Sequence, residues 1–240
     1  MKKIFSLLIA SVAISTVVFA QKTINDPNVE SRQASGYQAI EVGGGIDLYL
    51  SYGEEAVAVS AKDADIRNRI KTEVKNGVLK IWFDWKDGLK FSIKGDNKLK
   101  AYVSYKTLER LSASGGSDVN VDGTIKSNNF QLNISGGSDF DGKVEISSKL
   151  TVSASGGSDV SISGSAQNVD INASGGSDFD GYDLVTEVCD VHASGGSDIS
   201  ITVNKELTAE ASGASDVEWK GKGSVKKANA SGSGSVSHRS

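Results

Sequence analysis

Residues 112–123 read SASGGSDVNVDG, and the pentapeptide SGGSD that begins at Ser114 returns at residues 135, 155, 174 and 194. A variant, SGASD, begins at residue 212. The first glycines of successive motifs are 18 to 21 residues apart, and a fixed period of this length is typical of a solenoid. These glycines are Gly115, Gly136, Gly156, Gly175, Gly195 and Gly213.

The residues before each motif alternate between apolar and polar. In one repeat Val152 and Ala154 flank the polar Ser153, and the apolar Val160 follows the motif. This period of two is typical of β-strands with one buried face, and no repeat contains a helical pattern. The sequence therefore predicts an all-β protein, a right-handed parallel β-helix (solenoid) with coils of about 20 residues.

The pentapeptide is interpreted as a corner of the coil. Its two glycines permit backbone angles that other residues avoid, and Ser and Asp can form hydrogen bonds with local amides. Coils that carry Phe140 or Phe179 after the corner have Gly142 or Gly181 two residues further on. The other coils have medium-sized pairs there, which keeps the core volume constant from layer to layer.

The chain divides into five parts by composition. Residues 1–20 have the basic start, apolar stretch and small-residue end of a signal peptide, although such a segment could also stay as an anchor. Residues 21–36 are predicted to be a polar linker and residues 37–108 an N-terminal β region. The repeat β-helix is expected over 109–235, with a tail at 236–240.

The N-terminal β region has a looser pattern. Residues 39–53 predict two strands around three consecutive glycines, and residues 71–83 predict a hairpin with a turn at Asn76 and Gly77. The ends of a solenoid expose unpaired strand edges. The region is therefore expected either to cover the open end of the β-helix or to begin it.

Charge and composition exclude several kinds of partner. The net charge of −4 disfavours nucleic acid, and no stretch after residue 20 has the ~20 apolar residues of a membrane span. The single cysteine excludes an internal disulfide. We expect an exported monomer without a cofactor, located in the periplasm, on the outer-membrane surface or outside the cell.

The order of these motifs resembles a known family. A signal peptide, the strand pair around GIDLYL, the hairpin VKNGVLKI and the ladder of SGGSD corners are similar to the putative auto-transporter adhesin, head GIN domain family. That family is a domain of unknown function in exported bacterial proteins. The resemblance covers roughly residues 37–235, implies a β-helical surface or periplasmic domain, and brings no catalytic residues with it.

Catalytic side chains are few. Cys189 lies in an inward column, which predicts a buried, inert thiol, whereas His192 lies in an outward polar column and His238 in the tail. These three residues form neither a nucleophile–base arrangement nor a zinc site. The sequence therefore predicts a protein that is not an enzyme.

One Asp per corner forms a column, which we call the Asp row. If the coils stack in register, these carboxylates lie ~4.8 Å apart and repel one another. They are expected to accept hydrogen bonds from corner amides, with calcium binding as the alternative, since GGSDFD is similar to a known calcium repeat. The Asp row consists of Asp118, Asp139, Asp159, Asp178, Asp198 and Asp216.

The sequence IWFDWKDG holds the main aromatic cluster. Trp82 is predicted to face away from Ile81 and Phe83, and Trp82 and Trp85 are candidates for stacking on sugar rings or for packing a cap onto the β-helix. Three functions remain open. They are an adhesin-like scaffold that binds a glycan or protein at the cell surface, a structural envelope component, and a polysaccharide-active enzyme.

Overall fold

A computed structural model describes residues 24–85 and 98–239. It is nearly all-β, with 70% of residues in strands and 2% in helix, so the predicted fold class is confirmed. The predicted signal peptide lies outside the described residues. Sixteen strands, β1 to β16, run along Val29–Arg32, Ala39–Gly43, Ile46–Tyr52, Ala56–Ser60, Ile70–Lys75, Val78–Phe83, Leu99–Tyr105, Arg110–Ser114, Val119–Ser135, Phe140–Gly156, Asp159–Gly175, Asp178–Ala193, Asp198–Ala211, Asp216–Lys220, Ser224–Ala230 and Ser235–His238.

The repeats form a β-solenoid of about six turns with coils of about 20 residues. Strands β9 to β13 each run from one corner to the next and pair in parallel with their neighbours. The corners superimpose as predicted, because Gly156 pairs in register with Gly175 and Asp178 with Asp198. Strands β14, β15 and β16 complete the last turns.

Apolar columns fill the interior of the coils. Val152, Val169 and Leu207 are each 1% exposed or less, and the predicted inward position of Cys189 is confirmed at 1%. A Cβ atom on Gly142 would lie 2.7 Å from Cζ of Phe140, which shows that each Phe fills the space next to its glycine. Layers with one large residue therefore alternate with layers of two medium-sized ones.

The N-terminal region both begins the solenoid and covers its edges. Strand β2 pairs in parallel with β8, and β3 pairs in parallel with β9, so β2 and β3 form a first coil around Gly44 and Gly45. The predicted hairpin is confirmed as β5 and β6, with positive φ at Asn76 and Gly77. Antiparallel β4 and β5 cover the edges of parallel β7 and β6. A single helical turn, α1 (Ala64–Arg67), precedes the hairpin.

Two predicted boundaries are wrong. The polar linker at 21–36 contains β1, which pairs antiparallel with β4, and Nε of Arg67 lies 2.9 Å from Oε2 of Glu30 on that strand. The tail at 236–240 contains most of β16, which continues the stack on β14. Both are edge strands that bury little apolar surface, so their sequences are polar. No helix in residues 24–85 and 98–239 is long and apolar enough to cross a membrane.

Candidate functional site

The serine of each corner is a structural residue that the sequence analysis did not separate from the Asp beside it. Each corner Ser is fully buried. The hydroxyl of Ser158 donates to the backbone oxygen of Ser155 at 2.9 Å, and the next corner repeats this bond at the same distance. The variant motif SGASD has Ala in place of the second glycine but keeps the serine. This retention was the signal available in the sequence. The column comprises Ser117, Ser138, Ser158, Ser177, Ser197 and Ser215.

The Asp row lies beside the serines and faces solvent. Five of its members are exposed, and Asp118 is half-buried. As predicted, the members are brought into one line by the register of the strands. Three members accept a hydrogen bond from the backbone of the next corner: Asp118 from Asp139, Asp139 Oδ1 from Asp159 at 3.3 Å, and Asp159 from Asp178. Oδ1 of Asp216 accepts from the Ser235 hydroxyl at 2.7 Å.

Electrostatic repulsion acts along the Asp row. Partial burial raises the pKa of Asp159, and the charges of Asp139 and Asp178 raise it further. Burial likewise raises the pKa of Asp118, together with the charges of Asp47 and Asp139. Asp47 therefore extends the row towards the N-terminal coil, where Nζ of Lys98 lies 3.5 Å from its Oδ2.

The carboxylates of the Asp row stand in a line and do not converge. Within residues 24–85 and 98–239, no group of three or more His, Cys, Asp or Glu side chains is close enough to hold a metal ion. A calcium ion needs six to eight oxygen ligands at distances of about 2.3–2.6 Å. Adjacent coils are ~4.8 Å apart, about twice that distance, so carboxylates that stand in a line cannot surround one ion.

The two tryptophans have different surroundings. Trp82 is 40% exposed and faces away from the buried Ile81 and Phe83, as its position in the strand predicts. The ring of Trp85 contacts the ring of Phe83 edge-on, with 4.7 Å between centroids, although Trp85 remains 53% exposed. Trp85 thus packs one edge against the core, and both tryptophans keep exposed surface.

A groove lined by tyrosines escaped the sequence analysis. Tyr49 on β3 and Tyr102 on β7 stack with their ring centroids 5.2 Å apart and an interplanar angle of 21°. They lie in an open groove of about 470 Å³, which we call the tyrosine groove. Outward Tyr residues within GIDLYL and LKAYVSY were the available signal, but their meeting depends on strand register. The polar and aromatic lining of the tyrosine groove comprises Tyr49, Tyr102, Asn25, Ser51, Asn120 and Asp122.

The side chains that could support catalysis are separated. Burial raises the pKa of the Cys189 thiol, and the charges of Asp190 and Asp170 raise it further. His192 faces solvent, with its ring nitrogens 3.6 Å from carboxylate oxygens of Asp190 and Glu210. His238 packs against the ring of Trp219 in the last coil. The thiol therefore points into the core, while both imidazoles lie at the surface.

The fold and its surface together define an all-β solenoid with a filled interior and open, polar outer faces. The chain belongs to the family described as putative auto-transporter adhesin, head GIN domain, whose family model matches residues 36–223. This confirms the resemblance drawn from the corner ladder. No curated protein matches the chain.

Several solved structures share the fold. A putative adhesin from Bacteroides fragilis is similar with a TM-score of 0.75 and 20% identity, over 88% of this chain and 96% of that one. A putative lipid binding protein from Parabacteroides distasonis has a TM-score of 0.67 and 19% identity, over 90% and 98% of the two chains. A putative adhesin from Parabacteroides merdae has a TM-score of 0.63 and 16% identity, over 88% and 95%.

Proposed function

We propose that the protein is an exported, non-catalytic scaffold that binds a glycan or a protein at the cell surface. The observation that carries this proposal is the regular stacking of polar side chains into flat outer faces. One such face consists of the outward column Ser112, Asn133, Ser153, Asn172, His192, Glu210 and Asn229.

A stacked face of this kind suits binding because its side chains are held in fixed positions by the backbone ladder. Pre-organised groups lose little conformational entropy when a partner docks, and repetition offers the same contacts to a repetitive polymer. The family membership and the adhesin names of the similar proteins point in the same direction.

Catalysis is disfavoured by the arrangement of the acids. Polysaccharide cleavage by two carboxylates needs an acid and a base whose environments push their pKa values apart, on either side of one bond. The Asp row instead consists of identical carboxylates in equivalent corners, which do not supply two different environments. The burial of the Cys189 thiol removes the one candidate sulfur nucleophile from solvent.

The proposal is tested by a glycan array and a panel of cell-surface proteins probed with the purified protein, combined with fractionation of the producing cell. We expect the protein in the periplasmic or surface fraction and selective binding to a small set of surface molecules. A variant with Trp82→Ala, which changes an exposed ring outside the core, serves as a matched probe of the Trp82 surface. A cytoplasmic location, or turnover of a polysaccharide, contradicts the proposal. Envelope defects on deletion without any binding favour a purely structural role.

A further inference from the structure

The tyrosine groove lies where an aromatic column ends. In the register of the sheet, Tyr102 is paired with Tyr49, and Tyr49 is paired on its other side with Asn120. The two rings stack at 5.2 Å, close to the ~4.8 Å separation of adjacent strands. Asn120 has a short side chain and cannot continue the stack. The place of a third ring, beside Tyr49 and above Asn120, is therefore taken up by the groove.

The groove is built on a rigid base. Leu50 and Val103, which alternate with the tyrosines in their strands, are each 1% exposed. The hydroxyl of Tyr102 donates to Oδ2 of Asp26 at 3.0 Å, and the same oxygen lies 4.0 Å from Nζ of Lys100. These contacts fix the orientation of Tyr102 and, through stacking, that of Tyr49. A ligand would bind with little side-chain ordering.

The ring faces and the polar rim together specify the ligand. A flat tyrosine face favours a ring with an apolar surface. Around the vacant place, however, Asn25, Ser51 and Asn120 supply hydrogen-bonding groups, and Asp122 supplies a carboxylate. An aromatic side chain would place its apolar edge against the side-chain amides of Asn25 and Asn120, which is costly. A pyranose has apolar C–H faces, which suit the tyrosine rings and the neighbouring Ile24 and Val121, and an equator of hydroxyls, which suits the polar side chains.

Charge disfavours acidic sugars. Among the lining residues Asp122 carries a carboxylate, while Asp26 and Asp47 lie near Tyr102 and are each accompanied by a lysine, Lys100 at 4.0 Å and Lys98 at 3.5 Å. Burial raises the pKa of the Tyr102 hydroxyl, and the hydrogen bond and charge of Asp26 and the charge of Asp47 raise it further. A uronic acid or a sulfated sugar placed here would be repelled.

From these observations we infer that the tyrosine groove binds a neutral pyranose of a glycan chain, stacked on Tyr49 and hydrogen-bonded through its hydroxyls to Asn120 and the neighbouring polar side chains. The inference rests on the proposed function and names the site and the ligand class. The groove volume of about 470 Å³ lies within the ~300–1,000 Å³ that is usual for small-ligand sites.

The test is an NMR titration of the isotope-labelled protein with cellotriose, maltotriose and mannotriose. Trigalacturonate is the acidic probe and N-acetyl-tyrosine amide is the aromatic probe. We expect at least one neutral trisaccharide to shift the resonances of Tyr49 and Asn120, and neither of the other probes to do so. Tyr49→Ala should weaken binding by about tenfold or more, whereas Tyr49→Phe, which keeps the ring, should retain it.

A second variant guards against loss of folding in Tyr49→Ala. Asn120→Tyr adds a ring to the existing stack and fills the vacant place, so it should abolish binding while leaving the urea midpoint unchanged or higher. Trp82→Ala should bind as the unmodified protein does. The inference is overturned if no neutral trisaccharide binds at millimolar concentration, if binding survives both groove variants, or if the acidic or aromatic probe is preferred.

These outcomes separate the groove from the wider proposal. Glycan binding that is lost in Trp82→Ala and kept in Tyr49→Ala overturns the groove but upholds a glycan-binding scaffold. Failure of all three trisaccharides, with binding retained on the surface-protein panel, likewise overturns the groove alone. Failure in both experiments overturns the groove and the scaffold together.

Discussion

The ring of Phe140 occupies the space that a side chain at residue 142 would need: a Cβ atom on Gly142 would lie 2.7 Å from Cζ of Phe140 and 2.8 Å from Cγ2 of Val121. The glycine is therefore required by packing, since its φ is not positive. Within this coil the large side chain of Phe140 is matched by a glycine at residue 142. The neighbouring coils carry two medium-sized side chains at the equivalent positions, Val119 with Val121 and Val160 with Ile162.

Gly142→Ala should destabilise the protein by about 1–3 kcal/mol, the usual cost of overpacking a core. Phe140→Leu in the same chain should relieve part of this, so that the double variant loses less than the sum of the single ones. Urea unfolding measures both effects. Gly157→Ala is the matched control, because a Cβ there meets nothing within 4 Å. Strict additivity in the double variant would contradict the packing argument.

The two glycines of one corner should respond differently to substitution. Gly156 has a φ of +89°, and a Cβ on it would lie 3.0 Å from the backbone nitrogen of Gly136, whereas Gly157 lacks a positive φ. Gly156→Ala should cost about 1–3 kcal/mol and Gly156→Val more. Gly157→Ala should be nearly neutral, consistent with the Ala that stands at this position in SGASD. The comparison fails if the two alanine variants unfold at the same urea concentration.

Asp159→Ala, three residues beyond Gly156, should cost less than Gly156→Val, on the order of 1 kcal/mol. Removing the carboxylate loses a hydrogen bond from the backbone of Asp178 but also removes repulsion from Asp139 and Asp178.

The parts of the fold that repeat could be predicted from the sequence, and the parts that occur once could not. Stacking places identical corners on one another, so the spacing of the glycines fixed the register that pairs Gly156 with Gly175. Strand β1 was missed because an edge strand needs few apolar residues. The tyrosine groove was missed because Tyr49 and Tyr102 meet only through the pairing of β3 with β7, which the sequence pattern leaves undefined.

Cys189 should remain unreactive towards a thiol reagent in the native protein. It is 1% exposed, and burial followed by the nearby charges of Asp190 and Asp170 raises its pKa, so little thiolate is available. Absorbance on reaction with a disulfide reagent measures labelling, which should begin only when denaturant unfolds the coil. As a control, Cys189→Ala combined with Val185→Cys moves the thiol to a position that is 44% exposed and should label at once. Rapid native labelling of Cys189 would show that the core opens there.

Calcium should not stabilise the protein. The members of the Asp row stand one per coil, and no group of three metal-binding side chains is found within residues 24–85 and 98–239. Melting temperatures measured with added calcium and with a chelator should therefore agree. A fall of many degrees on chelation, absent in Asp159→Ala, would establish a calcium site along the row by linkage.

Repulsion along the Asp row predicts a pH-dependent effect of Asp159→Asn. The pKa of Asp159 is raised above 3.8 in the folded protein, so the folded state binds more protons than the unfolded state as the pH falls through that range. Stability from this group is therefore greatest below its unfolded pKa and is lost as the pH rises through the folded value. Asn mimics the protonated acid, and Asp159→Asn should stabilise the protein at pH 7 by more than it does at pH 4.

A matched control has the opposite sign. The hydrogen bond and charge of Lys126 lower the pKa of Glu145 in the folded protein, so the stability contributed by this carboxylate is present at pH 7 and is lost as the pH falls through the lowered value. Glu145→Gln should therefore destabilise the protein at pH 7, and the difference should shrink at low pH. Urea midpoints of the three proteins at pH 7 and pH 4 give both comparisons. If Asp159→Asn gives the same change in midpoint at both pH values, the carboxylates of adjacent corners do not repel one another measurably, and the Asp row carries no electrostatic cost.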